Sequence, residues 1–295
     1  MSNADEIREF LTTRRAKVTP QRAGLPMYGR TRRVPGLRRE EVALLAGISV
    51  EWYTRLERGY GSGVSEDVLD SVSAALQLDE AERAHLGDLV RTANAERPAR
   101  RASTPQRVRP SVARVVDAMV EIPAYVMNGR LDILYANPLA EALFSDVLRD
   151  PARPANFARF LFLDPRSRTF WLDWEKAAND TVAVLRSEAG RNPYDRNLSD
   201  LIGQLSTRSD EFRIRWAAHH VRFHRVATKQ MHHPLVGDMT LAFEAFELPA
   251  DMGLSVGTFS AEPGSTSQER LHELAVWSST REKLAIVRTE AETQT

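Results

Sequence analysis

Between Arg14 and Arg39 the chain carries nine basic side chains and no acidic one: Arg14, Arg15, Lys17, Arg22, Arg30, Arg32, Arg33, Arg38 and Arg39. A positive field this dense attracts polyanions and supplies contacts to phosphate groups. A second chemically suggestive cluster holds five of the seven histidines: His219, His220, His224, His232 and His233. Imidazole ligates zinc, copper and nickel, and His220 and His224 are four residues apart. No nearby carboxylate completes a ligand set, and Val221 to Met231 reads as the start of a strand, which breaks a helical spacing. A strand-edge or pH-sensitive cluster is the better reading, and no metal or other cofactor is expected. No G-x-S-x-G, P-loop or G-x-G-x-x-G occurs, so no enzyme is expected.

The whole chain bounds what these groups can belong to. Its 295 residues suggest two domains. Residues 1–115 carry 20 Lys/Arg against 15 Asp/Glu, and residues 116–295 carry 20 against 25, so a net charge of zero hides a basic front and an acidic back. There is no cysteine, which excludes disulfides and thiolate metal sites. No apolar run approaches the ~18–20 residues of a membrane span. The N-terminus is polar and acidic, unlike a secretory signal, so a cytoplasmic protein is expected.

The elements that must position the basic groups are helical. Asp5 to Lys17 reads as an amphipathic helix through Ile7, Phe10 and Leu11. A loop punctuated by Pro20, Gly24, Pro26, Gly29, Pro35 and Gly36 follows. Arg38 to Ala46 and Val50 to Arg58 read as two short helices around Gly47. Ser65 caps another helix and Asp79 opens a fifth. Residues 1–94 thus form one domain. The Pro-rich stretch 95–110 is a linker. Residues 111–278 form a second domain, and 279–295 a polar tail expected to fray.

In that second domain Val112 to Val120 reads as a helix. Ala124 to Met127 and Leu131 to Tyr135 read as strands joined by an Asn128-Gly129 hairpin. Asn137-Pro138 starts a helix running through Phe144. A helical middle spans 155–218. Three strands then follow, Phe223 to Met231, Met239 to Leu248 and Leu254 to Ala261, before a last helix from Gln268 to Trp277. Strands at both ends with helices between them predict an α+β domain built on one antiparallel sheet, of the PAS-like sensor type.

Arg39 to Arg58 is the most specific stretch. Val42, Ala46, Ile48, Tyr53 and Leu56 can all face inward if two helices meet at a sharp angle. Ala43 is small where they cross, Gly47 suits the turn, Ser49 caps the second helix and Gly59 ends it. The segment from Leu37 to Gly59, and onward to about Ala93, resembles the phage-repressor-like (Xre) helix-turn-helix family. The resemblance implies that the second helix enters the major groove of double-stranded DNA. It puts Arg39, Val50, Glu51, Thr54 and Arg55 at base edges. Arginine forks onto guanine, Glu51 accepts from cytosine and Val50 meets a thymine methyl. It puts Ser49, Trp52 and Arg58 on the backbone. Arg38, together with Arg30, Arg32 and Arg33 in the preceding loop, joins them as phosphate or minor-groove contacts.

The phrase Arg33-Val34-Pro35-Gly36-Leu37-Arg38-Arg39-Glu40-Glu41-Val42-Ala43 is similar to an actinobacterial branch of that family whose members carry a C-terminal domain of the MmyB type. Trp216 to Val221, His233 to Gly237, Thr240-Leu241 and Ala261 to Ser265 extend the similarity over nearly the whole chain. The resemblance implies a PAS-like ligand-binding domain whose ligand is a fatty acid or related apolar molecule. Candidate ligand-binding residues are Trp171, Trp174, Phe212, Arg213, Arg215, Trp216, His219 and Phe243, with an arginine pairing any carboxylate. The expected protein is a homodimeric regulator whose two helix-turn-helix domains meet two operator half-sites and whose second domain senses a small effector. Two alternatives stand beside it: an adaptor whose second domain binds a protein, and a metal sensor using His219 to His233.

Overall fold

The computed structural model describes residues 3–25, 34, 36–94, 106–218 and 226–293, with side chains as far as Thr280 except that of Val226. The chain divides into two compact units. The first contains Met1–Ser103 together with Val182–Gly203 and Arg213–Phe223. The second contains Thr104–Thr181, Gln204–Phe212 and His224–Thr295.

Five helices open the first unit: α1 (Asn3–Lys17), α2 (Arg39–Ala46), α3 (Val50–Glu57), α4 (Glu66–Ala75) and α5 (Glu80–Asn94). Their ends are the expected ones. Gly47 adopts the left-handed conformation (φ +64°) that lets α2 stop abruptly. Ser49 Oγ accepts from Trp52 N–H at the start of α3, and Ser65 Oγ from Val68 N–H at the start of α4. Asp79 and Glu82 cap each other's backbone amides reciprocally at the start of α5. One core gathers Ile7, Phe10 and Leu11 of α1, Val42 and Ala46 of α2, Tyr53 and Leu56 of α3, Val72 of α4 and Leu86 and Leu89 of α5. At Gly59 (φ +93°) the chain passes so close to α1 that any Cβ would strike the Ala4 backbone.

The remaining elements run α6 (Pro110–Asp117), β1 (Ala124–Asn128), β2 (Ile133–Ala136), α7 (Pro138–Leu143), α8 (Ser145–Leu148), α9 (Phe157–Leu163), α10 (Ser167–Phe170), α11 (Trp174–Arg191), α12 (Arg196–Arg208), α13 (Asp210–Ala217), β3 (Val226–His233), β4 (Gly237–Glu247), β5 (Leu254–Ser260) and α14 (Thr266–Thr293). The five strands form one antiparallel sheet in the order β2-β1-β5-β4-β3, so the first and last strands in sequence pair at its middle. This is the PAS-like α+β architecture. Alternation sorts the two faces. Tyr125, Met231, Leu241, Phe243 and Phe259 face a core shared with Leu143, Phe144, Phe160 and Phe170, while Val126, Leu254 and Val256 face Val112 and Val116 of α6. Tyr125 lies across Gly257 on the paired strand, where a Cβ would come within 2.7 Å of the ring.

Three boundaries differ from the sequence reading. The hairpin after β1 is longer than a two-residue Asn-Gly turn, and β2 starts at Ile133. The Asn128 side chain accepts from the amides of Arg130 and Asp132, so it builds a wider loop in which Leu131 takes φ +67°. Strand β3 (Val226–His233) runs past the expected end at Met231, and its expected start at Phe223 lies outside the described residues. The last helix does not stop at Trp277 but continues through Thr293, across most of the segment read as a fraying tail.

Candidate functional site

The first unit presents α3 as a surface element. Tyr53, Leu56 and Glu57 are buried and lock one side of it into the core. On its other side Val50, Glu51, Arg55 and the capping residue Arg58 are exposed, and Thr54 is half-buried. All four side chains expected at base edges from α3 therefore share one outward face. Ser49 spends its hydroxyl on the cap, and Trp52 packs partly against the core. Arg38 is exposed beside Glu40. Arg30, Arg32 and Arg33 lie outside the described residues.

Beneath this face sits an ionic cluster that the sequence did not reveal. Glu57, 1% exposed at its side chain, accepts from Arg15 of α1 at 2.8 Å and from Arg39 of α2 at 2.8 Å. Burial pushes the Glu57 carboxyl up, but the two guanidinium groups outweigh burial and hold it below the ordinary glutamate range. Arg39, half-exposed, is thus anchored on one edge and open on the other. The cluster ties α1, α2 and α3 together at the base of the turn.

The same unit buries two further arginines, Arg14 and Arg186. Arg186 is 0% exposed. It pairs with Glu6 at 2.9 Å, donates to the Trp216 carbonyl and stacks over the Trp216 ring at 4.1 Å. Burial lowers this guanidinium's affinity for its proton, and Glu6 opposes that. Trp216 is therefore engaged in an arginine clamp. Arg213 is exposed and Arg215 half-buried, in the same unit.

In the second unit most aromatic candidates are packing residues. Trp174 is buried beneath the Arg168 guanidinium, 3.4 Å from its ring centre, and donates to the Leu161 carbonyl. Phe212 meets Phe162 edge-on at 5.1 Å, and Phe243 packs on Phe259 at 5.1 Å. Trp171 is different: it lines a cavity of about 240 Å³ together with Asp173, Lys176, Thr228, Lys229 and Gln230. Lys229 is buried and pairs with buried Asp180 at 3.0 Å. Burial lowers the Lys229 ammonium pKa while Asp180 opposes the shift. The signal for this pair was an even alternation: Lys229, Met231 and His233 fall on one face of β3, and Met231 is in the core.

His219, His220 and His224 lie outside the described residues. The two described members of the cluster point apart. His232 is paired with Asp238 at 2.6 Å. His233 is buried, with Nδ1 accepting from Leu235 N–H and Nε2 against the Ala142 carbonyl, so both ring nitrogens are occupied. No group of three or more metal-ligating side chains occurs among the described residues. No described helix is long and apolar enough to cross a membrane.

Comparison with known proteins matches two successive stretches of the chain. Residues 6–86 match the model of a helix-turn-helix domain. Residues 108–274, more than half of the chain, match that of the MmyB-like transcription regulator ligand binding domain. No curated protein matches the chain. A helix-turn-helix domain on a capped helical core, followed by a five-stranded ligand-binding domain, places this chain in the family of MmyB-like helix-turn-helix transcription regulators.

Proposed function

We propose that the protein binds an operator as a homodimer, one α3 helix in each half-site, and that a small molecule with an apolar body, fatty-acid-like in character, changes that binding. The observation that carries the reading is the single outward face of α3, where Val50, Glu51, Thr54 and Arg55 stand clear of a core that fixes the helix from behind. In this pose Arg55 reads guanine, Glu51 accepts from cytosine and Val50 meets a thymine methyl. Arg39, held by Glu57, turns its open edge to the DNA. Arg38 and Arg58, with the cap at Ser49 and the indole of Trp52, hold the backbone. Two half-sites multiply the limited affinity of one short motif. The reaction inventory is empty on this reading: the chain binds DNA and effector and catalyses nothing.

Selection from a random duplex library tests the dimer, which requires two related half-sites in the enriched sequence. Arg55→Ala should then cost roughly 1–3 kcal/mol on the selected operator and relax preference at one base step. Equal losses on operator and random duplex in a fluorescence-anisotropy titration would remove Arg55 from base reading.

A further inference from the structure

Arg186 is a costly way to hold helices together. Its Nη atoms serve Glu6 and the Trp216 carbonyl, and among the described residues its Nε has no hydrogen-bond partner. A buried ion pair with a donor left over is a poor source of stability, because well-packed apolar side chains of similar volume do as well or better. Its best-attested use is to fix a register or to switch between arrangements. Position decides what this pair can act on. Glu6 lies near the start of α1, two residues after Ala4, whose backbone lies against Gly59 just past the end of α3. Further along α1, Arg15 holds Glu57 of α3, and Glu57 holds Arg39. The helix that Arg186 grips therefore bears on the C-terminal end of α3 at two points.

Arg186 comes from the later region of the sequence. It lies within 108–274, the stretch matched to the ligand-binding domain, whereas Glu6 opens the stretch matched to the helix-turn-helix domain. Helix α11 divides in the same way: its residues through Thr181 belong to the second unit and those from Val182 to the first. Before that division Asp180 is tied to Lys229 of β3 at 3.0 Å, and after it Arg186 is tied to Glu6 at 2.9 Å. Arg186 does not grip the first unit alone. The Thr92 hydroxyl of α5 donates to the Gly190 carbonyl, Arg191 pairs with Asp88 at 3.1 Å, and a Cβ at Gly190 would strike the His85 ring. One uninterrupted helix thus has a charged tie to the sheet of the ligand-binding domain and another to α1.

We infer that the Arg186 clamp is the regulatory joint of this protein: a change of effector state that moves or orders α11 reaches the reading helix α3 through Arg186, Glu6 and α1. The inference rests on the reading of the protein as an effector-controlled DNA-binding regulator. Coupling of this kind is reciprocal, so DNA on α3 must in turn change α11.

Amide hydrogen exchange of the full chain, with and without the selected operator duplex, tests the joint without the effector in hand. Operator should slow exchange by about fivefold or more in α1 and along α11 on both sides of Val182, and leave β1 and β5 unchanged. In the chain carrying both Glu6→Gln and Arg186→Met, which leaves no unpaired buried charge, α1 should still respond and α11 should not. Glu6→Gln alone, which keeps an acceptor for Arg186, should reduce the α11 response and serves if the double variant does not fold. An α11 that ignores the operator, slowing as large in β1 and β5 as in α11, or an α11 response undiminished by cutting the clamp overturns the joint. Operator binding by the wild-type chain with an unresponsive α11 sinks the clamp alone, whereas a wild-type chain that selects no duplex sinks the regulator.

Discussion

In the first unit the side chains proposed to meet DNA stand on the outward face of α3. Val50, Glu51 and Arg55 are exposed, and the one buried carboxylate of α3, Glu57, pairs instead with Arg15 and Arg39. In the second unit the arrangement is inverted. Here a cavity lined by Trp171 and Lys229 is set into the fold, and Lys229 is buried in a pair with Asp180. The difference has a physical consequence. Side chains on the outward face of α3 are solvated in the free protein, so they are changeable at little cost in stability. Lys229 at the cavity bears on folding, because it loses its solvation whether or not a ligand is present. The outward face of α3 is therefore separable from folding, whereas the charged wall of the cavity is coupled to it.

The largest expected effects probe the two interiors that support these sites. Phe144 is 1% exposed and meets Tyr125, Phe157 and Phe259 at ring distances of 5.5, 5.1 and 5.4 Å. Phe144→Ala should cost about 4 kcal/mol in urea unfolding. A loss under about 1 kcal/mol would mean that the sheet's core does not depend on this aromatic cluster. Glu57→Ala should come next, at about 3 kcal/mol, because it strands the mostly buried Arg15 without its carboxylate. Operator affinity should fall with it as Arg39 loses its anchor. An unchanged affinity in the folded variant would show that Arg39 needs no positioning.

A smaller effect, about 1 kcal/mol, is expected for Ser49→Ala, which removes the cap of α3. If the DNA-reading face is as independent of folding as its exposure implies, Arg55→Ala should leave the same urea midpoint untouched. The smallest effect is a pH slope from His233. Burial holds its pKa below the usual value, and the Ala142 carbonyl opposes that only in part. The unfolded chain thus binds a proton more readily, so stability should be full above about pH 6.5 and fall as pH drops below it, by less than about 1.4 kcal/mol per pH unit. His233→Gln should flatten that slope in melts between pH 7 and 5. A slope that persists would assign the effect to other groups.

How much of this was legible in the sequence differs between the units for the same reason. The caps at Ser49, Ser65, Asp79 and Asn137 and the left-handed Gly47 are local, set within three or four residues, and each reads off the chain. The shared outward face of Val50, Glu51, Thr54 and Arg55 follows from helical spacing alone. The hairpin at Asn128 was misjudged because a side chain, two and four residues from its partners, outcompeted the short turn. The aromatic candidates were split for a different reason. Trp171 borders the cavity, whereas Trp174, Phe212 and Phe243 pack in cores and Trp216 is held under Arg186. An aromatic residue type does not say which of these roles it fills.

By itself the sequence determined a basic helix-turn-helix domain first in the chain, an acidic α+β domain after it, and the helix whose outward face carries Val50, Glu51, Thr54 and Arg55. These depend on periodicity, caps and local charge, which are properties of short segments. Only the tertiary structure decided which charges meet. Glu57 finds Arg15 across 42 positions, Lys229 finds Asp180 across 49, and Arg186 finds Glu6 across 180. It also decided that β3 is an edge strand and that its edge borders a cavity. Those outcomes depend on strand order and long-range packing, where each residue's partner is chosen by the whole fold and not by its neighbours in the chain.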